Sequence, residues 1–199
     1  MIESELDWTK FWERKLSFRS FLFYRIYERF RARSYFRLLK DLSLKGKSIL
    51  ELGGGSGYIC GLLCKKYGCR GTIIDDNKKA YEVFKRVVKN GDVNYILADM
   101  FDYKGRHDLV FSDGLIEHFH PKERREIILL HKKFVKDGGF LMFFVPKKSW
   151  LVEHFMSVKN GYEEKMSIKQ LIKETSMPRM KLVSTEEDLH MVGVLYKVE

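Results

Sequence analysis

The run Ile49-Leu50-Glu51-Leu52-Gly53-Gly54-Gly55-Ser56-Gly57-Tyr58 constrains the fold more than any other stretch of the chain. A short apolar segment ends in a carboxylate and opens into glycines at alternate positions, Gly53, Gly55 and Gly57. Glycine is needed where a backbone turns sharply or lets another group lie against it. The spacing is not the G-x-G-x-x-G of a dinucleotide loop: the third position beyond Gly53 plus two is Tyr58, and beyond Gly55 plus two it is Cys60. A buried strand, a glycine loop and a following helix are the expectation.

Short apolar runs then alternate with helical stretches, as in a doubly wound sheet. Strands are expected at Ser48–Leu52, Gly71–Ile74, Val93–Leu97, Leu109–Phe111 and Phe140–Val145, with helices at Tyr58–Tyr67, Lys78–Asn90 and Lys122–Val135. The near-continuous apolar character of Phe140–Val145 is that of a parallel strand covered on both faces. Asp137-Gly138-Gly139 should turn the chain ahead of it. A helix at Ser167–Thr175 and strands at Met180–Ser184 and Met191–Val198 complete a mostly parallel, seven-stranded α/β sheet. Ahead of it, residues 9–41 hold no Gly or Pro, and Phe18, Leu22, Ile26 and Phe30 recur every fourth residue. The division expected is an N-terminal helical extension or lid over 1–46 and a compact domain over 47–199.

At 199 residues and 45% hydrophobic content the chain can bury a substantial core. It has no apolar stretch near the roughly 18 residues of a spanning helix, and its first residues are acidic and polar rather than leader-like. A soluble, cytoplasmic protein without membrane insertion is therefore expected. Cys60, Cys64 and Cys69 fit no paired metal spacing and read as packing thiols. His118 and His120 lack a third ligand, so no metal site is expected. The net charge of +10 is concentrated in residues 19–40, where Arg19, Arg25, Arg29, Arg31, Arg33, Arg37 and Lys40 face Glu28 alone. Such a face suits an anionic substrate or nucleic acid, and equally a solvated helix.

In doubly wound sheets ligands bind beyond the carboxyl ends of the strands. There the chain places Glu51, Asp75-Asp76-Asn77, Ala98-Asp99-Met100 and Ser112-Asp113. A carboxylate at Asp75 can accept hydrogen bonds from both hydroxyls of a ribose held over the glycine loop, although an Asp at a strand end is equally a helix N-cap.

The ordered set E-x-G-x-G-x-G, D-x-N with Ala80 following, D-M after an alanine, H-D-x-V-x-S with L-x-E-H, and the G-G pair before the fifth strand resembles the small-molecule branch (type 11-like) of class I S-adenosylmethionine (SAM)-dependent methyltransferases, over about residues 47–146. The resemblance implies SAM as cofactor. Gly53, Gly54, Gly55 and Gly57 would run beside its methionine part, with Glu51 at the amino group. Asp75 would hold the ribose, Asp99 and Met100 would flank the adenine, and Ser112 and Asp113 would close beside the sulfonium. One departure stands out: the residue after the ribose acid is usually apolar in that family, and here it is Asp76, which also offers a second register for the ribose carboxylate.

Methyl transfer from an activated donor needs in-line positioning and exclusion of water more than a nucleophile. His118, whose side chain titrates near neutrality, is the candidate auxiliary base. The acceptor pocket is expected from the aromatic segment holding Trp8 and Trp12, and from Pro146–Lys165 with Trp150, His154, Phe155 and Tyr162. The function expected is methylation of a small-molecule acceptor. An RNA- or ribosome-directed methyltransferase using the basic helix, and a non-catalytic SAM-fold protein that binds a partner, are the alternatives.

Overall fold

A computed structural model describes residues 7–15, 18–89, 91–155 and 161–199, the side chains of 14, 15, 18–25, 151, 154 and 155 excepted. Five strands, β1 (Ser48–Leu52), β2 (Arg70–Asp75), β3 (Val93–Leu97), β4 (His107–Asp113) and β5 (Val135–Pro146), run parallel. β6 (Met180–Glu187) and β7 (Met191–Val198) close the sheet as an antiparallel pair, giving the order β3-β2-β1-β4-β5-β7-β6. The order reverses between β1 and β4, which fixes where a ligand crevice opens.

Strand residues alternate between two cores because successive side chains leave opposite faces of the sheet. Leu50, Leu52, Val110, Leu141 and Phe143 meet α5 (Pro121–Phe134) and α7 (Ile168–Thr175) on one side. Ile49, Ile73, Leu109, Phe111, Met142 and Phe144 meet α2 (Phe18–Leu38) and α3 (Tyr58–Tyr67) on the other. Glu51 and Asp113 share the parity of Ile49 and Phe111, so their carboxylates emerge on the α2 side. α4 (Lys78–Val87) starts at Asn77, whose side chain accepts hydrogen bonds from the backbone N–H of Lys79 and Ala80. The N-cap is therefore Asn77, and Asp75 is left for other work.

Two expectations change. The segment read as helix over 9–41 carries α1 (Trp8–Lys15) and α2, with residues 16 and 17 outside the described residues. Within α2 the fourth-residue apolar stripe faces outward: Ile26 and Phe30 are 52% and 60% exposed. The buried face carries Glu28, Ala32, Tyr35 and Leu38 instead, because Tyr35 stacks on Phe144 of β5 with ring centroids 4.0 Å apart. The side chains of Phe18 and Leu22 lie outside those described. Finally, Asp137-Gly138-Gly139 does not precede its strand but interrupts it. Val135 pairs with His107, the register shifts, and pairing resumes at Phe140 with Leu109. A Cβ on Gly139 would lie 2.8 Å from the Lys136 carbonyl oxygen and 2.9 Å from that of Asp108, so the bulge needs glycine there.

The foot of the sheet is tied by Asp108. It accepts hydrogen bonds from the backbone N–H (2.9 Å) and hydroxyl (2.8 Å) of Ser48 and from the Lys136 ammonium (2.9 Å). Partial burial opposes ionisation, but these donors outweigh it and hold the carboxyl well below the usual carboxylate range. Cys60, Cys64 and Cys69 are buried beneath α3, and no thiol or carboxylate cluster suited to a metal occurs among the described residues. None of the described helices is long and apolar enough to cross a membrane.

Candidate active site

A cavity of about 640 Å³ opens at the carboxyl ends of β1 and β4. Its floor is the loop after β1. Gly53, Gly55 and Gly57 all have positive φ (59°, 53° and 63°), so the chain turns through alternate left-handed residues that L side chains resist. Gly55 is pinned from both sides: its N–H donates to Asp75 Oδ2 (2.8 Å), and its carbonyl accepts from the Tyr95 hydroxyl (3.1 Å). A Cβ there would run into the Trp12 ring.

Asp75 Oδ1 also accepts from the Asn77 N–H (2.9 Å), so each carboxylate oxygen holds one backbone donor and keeps a lone pair for another. Burial, with Asp76 nearby, pushes its pKa up to about 6 against the pull of those two donors. Asp76, Ala98, Asp99, Met100 and Phe101 continue the wall. Asp99 caps the short turn Met100–Asp102 through the Phe101 N–H (2.9 Å). Glu51 is buried with Oε2 unpartnered among the described residues, and burial together with Asp113 raises its pKa well above the ordinary value.

The opposite wall comes from α1, α2, the turn Ile116–His118 and residues 161–164. Trp8, Phe11 and Trp12 of α1 reach the cavity, and Trp8 meets the His118 ring edge-on at 4.9 Å. The base of α1 rests on Ala80 and Val83 of α4. From α2 come Tyr27, Glu28 and Arg31. Arg31 bridges Glu28 (3.0 Å) and Asp113, with the Tyr35 hydroxyl at 3.3 Å. Burial alone would lower the guanidinium's pKa, but Asp113 and Glu28 more than offset it and the net shift is upward.

His118 Nδ1 lies 3.2 Å from the Tyr162 carbonyl oxygen, an acceptor that fixes the proton on Nδ1 and leaves the Nε2 lone pair free. Burial lowers the imidazole's pKa, with the Tyr162 carbonyl and Glu163 acting against it, so the ring is neutral at pH 7. Beneath it lies a fully buried guanidinium. Arg124 donates to the carbonyls of Ile116 (3.0 Å) and Phe119 (2.9 Å) and to Glu164 and Glu174 (both 2.6 Å), clamping the turn that carries Glu117 and His118.

The residues anticipated from sequence divide clearly. Glu51, Gly53, Gly54, Gly55, Asp75, Asp76, Asp99, Met100, Asp113, Trp8, Trp12 and His118 line one cavity. Gly57 shapes the turn from outside it, and Ser112 is buried within β4. Tyr162 does not line it: its hydroxyl donates to Glu164 (2.9 Å) and its ring lies against His120, so only its carbonyl serves the site, through His118. Trp150 is largely exposed, and the side chains of His154 and Phe155 lie outside those described. Sequence reasoning passed over Tyr27, Glu28, Arg31, Glu117 and Arg124. A usable signal existed in residues 19–40, where Glu28 is the single acid among seven bases and stands one turn before Arg31.

Residues 49–139 match a family model described as "Methyltransferase domain". The ribosomal protein L11 methyltransferase of Thermosipho melanesiensis is 31% identical over 129 residues, covering 62% of this chain and 48% of that protein. The chain thus spans about half the length of that curated relative. Among solved structures, the N-methyltransferase NodS from Bradyrhizobium japonicum, in complex with S-adenosylhomocysteine (SAH), superimposes with a TM-score of 0.69 at 16% identity over 96% of this chain and 97% of that one. The magnesium protoporphyrin IX methyltransferase ChlM from Synechocystis, with bound SAM, gives 0.64 at 15% identity over 85% and 78%. By fold this chain is similar to these solved methyltransferases, and its residues 49–139 match the methyltransferase-domain model.

Proposed function

We propose that this chain binds SAM over the Gly53–Gly57 loop and methylates a small-molecule acceptor held under α1. The observation that carries the reading is the composition of the cavity wall. Among the described residues nine carboxyl side chains (Asp7, Glu28, Glu51, Asp75, Asp76, Asp99, Asp113, Glu117 and Glu163) line it against Arg31 as the one lysine or arginine, in a protein whose net charge is +10. A cleft that reverses the sign of the whole protein favours a positively charged ligand.

The residues fit the cofactor part by part. The side-chain-free loop leaves room for close backbone approach, and the unpartnered Glu51 Oε2 suits an ammonium group. The spare lone pairs of Asp75 suit two ribose hydroxyls, and Asp99 with Met100 suits an adenine edge and face. Asp76 lines the same wall, and the Asp75 hydrogen bonds to Gly55 and Asn77 favour Asp75 as the ribose acid. Arg31, braced by Glu28 and Asp113, is the candidate for the methionine carboxylate. When bound, SAM supplies a methyl already activated by its sulfonium, so the protein's own task is placement and exclusion of water. α1 serves as the lid for that purpose, with Trp8 and Trp12 as its inner surface, and His118 Nε2 is placed to take a proton from an acceptor that carries one.

An enclosed cleft roofed by aromatics suits a small acceptor better than RNA. Titration calorimetry with SAH tests the reading directly: saturable one-to-one binding is expected, and its absence in a folded protein rejects it.

A further inference from the structure

At the inner end of the cavity, around residues 113–118, the charges do not balance. Arg31 is shared by Glu28 and Asp113, and Glu163 is closed off in a pair with Lys165 at 3.1 Å. Glu117 remains. It is 0% exposed, it lines the cavity, and among the described residues neither of its carboxylate oxygens has a hydrogen-bond partner. The nearest cation-capable atom is His118 Nε2, 3.7 Å from Oε1, on a ring that burial keeps neutral. The carboxyl is held firmly in this place: its backbone carbonyl accepts from the Glu164 N–H (2.9 Å), and Arg124 locks the turn beneath it.

A buried carboxyl with no donor is costly unless something supplies one, or unless it stays protonated until a partner arrives. Burial raises the Glu117 pKa well above the ordinary value, with Glu163 and Asp113 adding to it and Arg31 opposing. The second unpartnered carboxylate, Glu51, sits at the glycine loop and answers to the cofactor. Glu117 lies beyond Asp113, beside His118 and Trp8, on the side left for the acceptor.

We infer that Glu117 is the recognition point for a cationic nitrogen, and that the acceptor class of this enzyme is a small amine. This rests on the reading of the cavity as a methyltransferase site. The ammonium supplies the donors that Glu117 lacks and offsets one of the two negative charges by which three ionised carboxylates (Glu28, Asp113 and Glu117) exceed one guanidinium. Glu117 is fully buried, so an amine reaches it only as the packing around it parts. Burial favours the protonated form of Glu117, so a charged amine that pairs with it drives a proton off, whichever partner then keeps the shared one.

The test uses SAH-saturated protein and two sets of matched probes: tyramine, tyrosol and 4-hydroxyphenylacetate; hexylamine, 1-hexanol and hexanoate. In at least one set the amine is expected to bind about tenfold or more tighter than the alcohol, with the acid weakest. Glu117→Gln should erase that preference and leave SAH affinity unchanged. Should this variant not fold, calorimetry of the unaltered protein in two buffers of different ionisation enthalpy decides the matter through the expected net proton release. Equal or weaker binding of both amines, no binding of either, a preference that survives Glu117→Gln, or amine binding without proton release overturns the inference. SAH bound normally alongside any of these leaves the methyltransferase reading standing; no SAH binding at all defeats both.

Discussion

The two walls of the cavity are built by different physics. On the glycine-loop side, backbone groups do the holding: Gly55 N–H to Asp75, Asn77 N–H to Asp75, Phe101 N–H to Asp99. These partners are a few residues apart or on adjacent parallel strands, so the wall forms as soon as β1, β2 and β3 pair. On the facing side, buried charged side chains do it, and they come from afar. Arg31 reaches Asp113 across 82 positions and Arg124 reaches Glu164 across 40. Backbone ladders tolerate many sequences, whereas a buried charge tolerates only its partner. The first wall suits a ligand common to a family, and the second suits one particular to this chain.

Substitutions can break this contrast in order of expected effect. Gly55→Val should abolish SAH binding, since a β-branched side chain meets both a φ of 53° and the Trp12 ring; calorimetry alongside an unchanged circular dichroism spectrum is the check. Arg124→Leu should cost about 3–5 kcal/mol in urea unfolding, because it strands the carbonyls of Ile116 and Phe119 and frees the turn bearing Glu117 and His118. Were Arg124→Leu to weaken SAH binding as much as acceptor binding, the two walls would not be independent.

Asp75→Ala should weaken SAH by about ten- to a hundredfold, while Asp76→Ala leaves most of the affinity in place; the reverse result moves the ribose acid by one residue. The same carboxyl gives a pH signature. Its folded pKa of about 6 exceeds the ordinary 3.8, so the native state binds the extra proton between those values. Stability from this group is therefore present at low pH and is lost as pH rises through about 6. Hydroxyl recognition needs the ionised form, so SAH affinity should fall about tenfold one pH unit below 6. An affinity flat from pH 7 to 5 would show that Asp75 is not a ligand. The smallest effect belongs to His118→Gln, which keeps the hydrogen bond to Tyr162 and should lower turnover by less than about a hundredfold with SAH affinity intact. A thousandfold loss would make His118 essential rather than auxiliary.

The same contrast explains what could be read from the chain before its structure. Strand β1 and helix α3 were legible because their cues are local: an apolar run and alternate glycines. Arg31 was not, since a helix in isolation does not say which face turns inward. Ile26 and Phe30 carried the apolar signal, yet the face that packs is the one where Tyr35 meets Phe144. Tyr162 was read as a pocket aromatic from composition, but its backbone carbonyl is what matters, and composition is silent on carbonyls.

The Trp12 ring occupying the space over Gly55 has an optical consequence. Of the three tryptophans, Trp8 and Trp12 face the cavity, while Trp150 is 66% exposed. A molecule settling on the glycine loop must touch or displace the Trp12 indole, so the chain carries an intrinsic fluorophore at its own threshold. With Trp150 replaced by phenylalanine, the remaining emission would come from the cavity alone, and its colour and lifetime would register occupancy without a label.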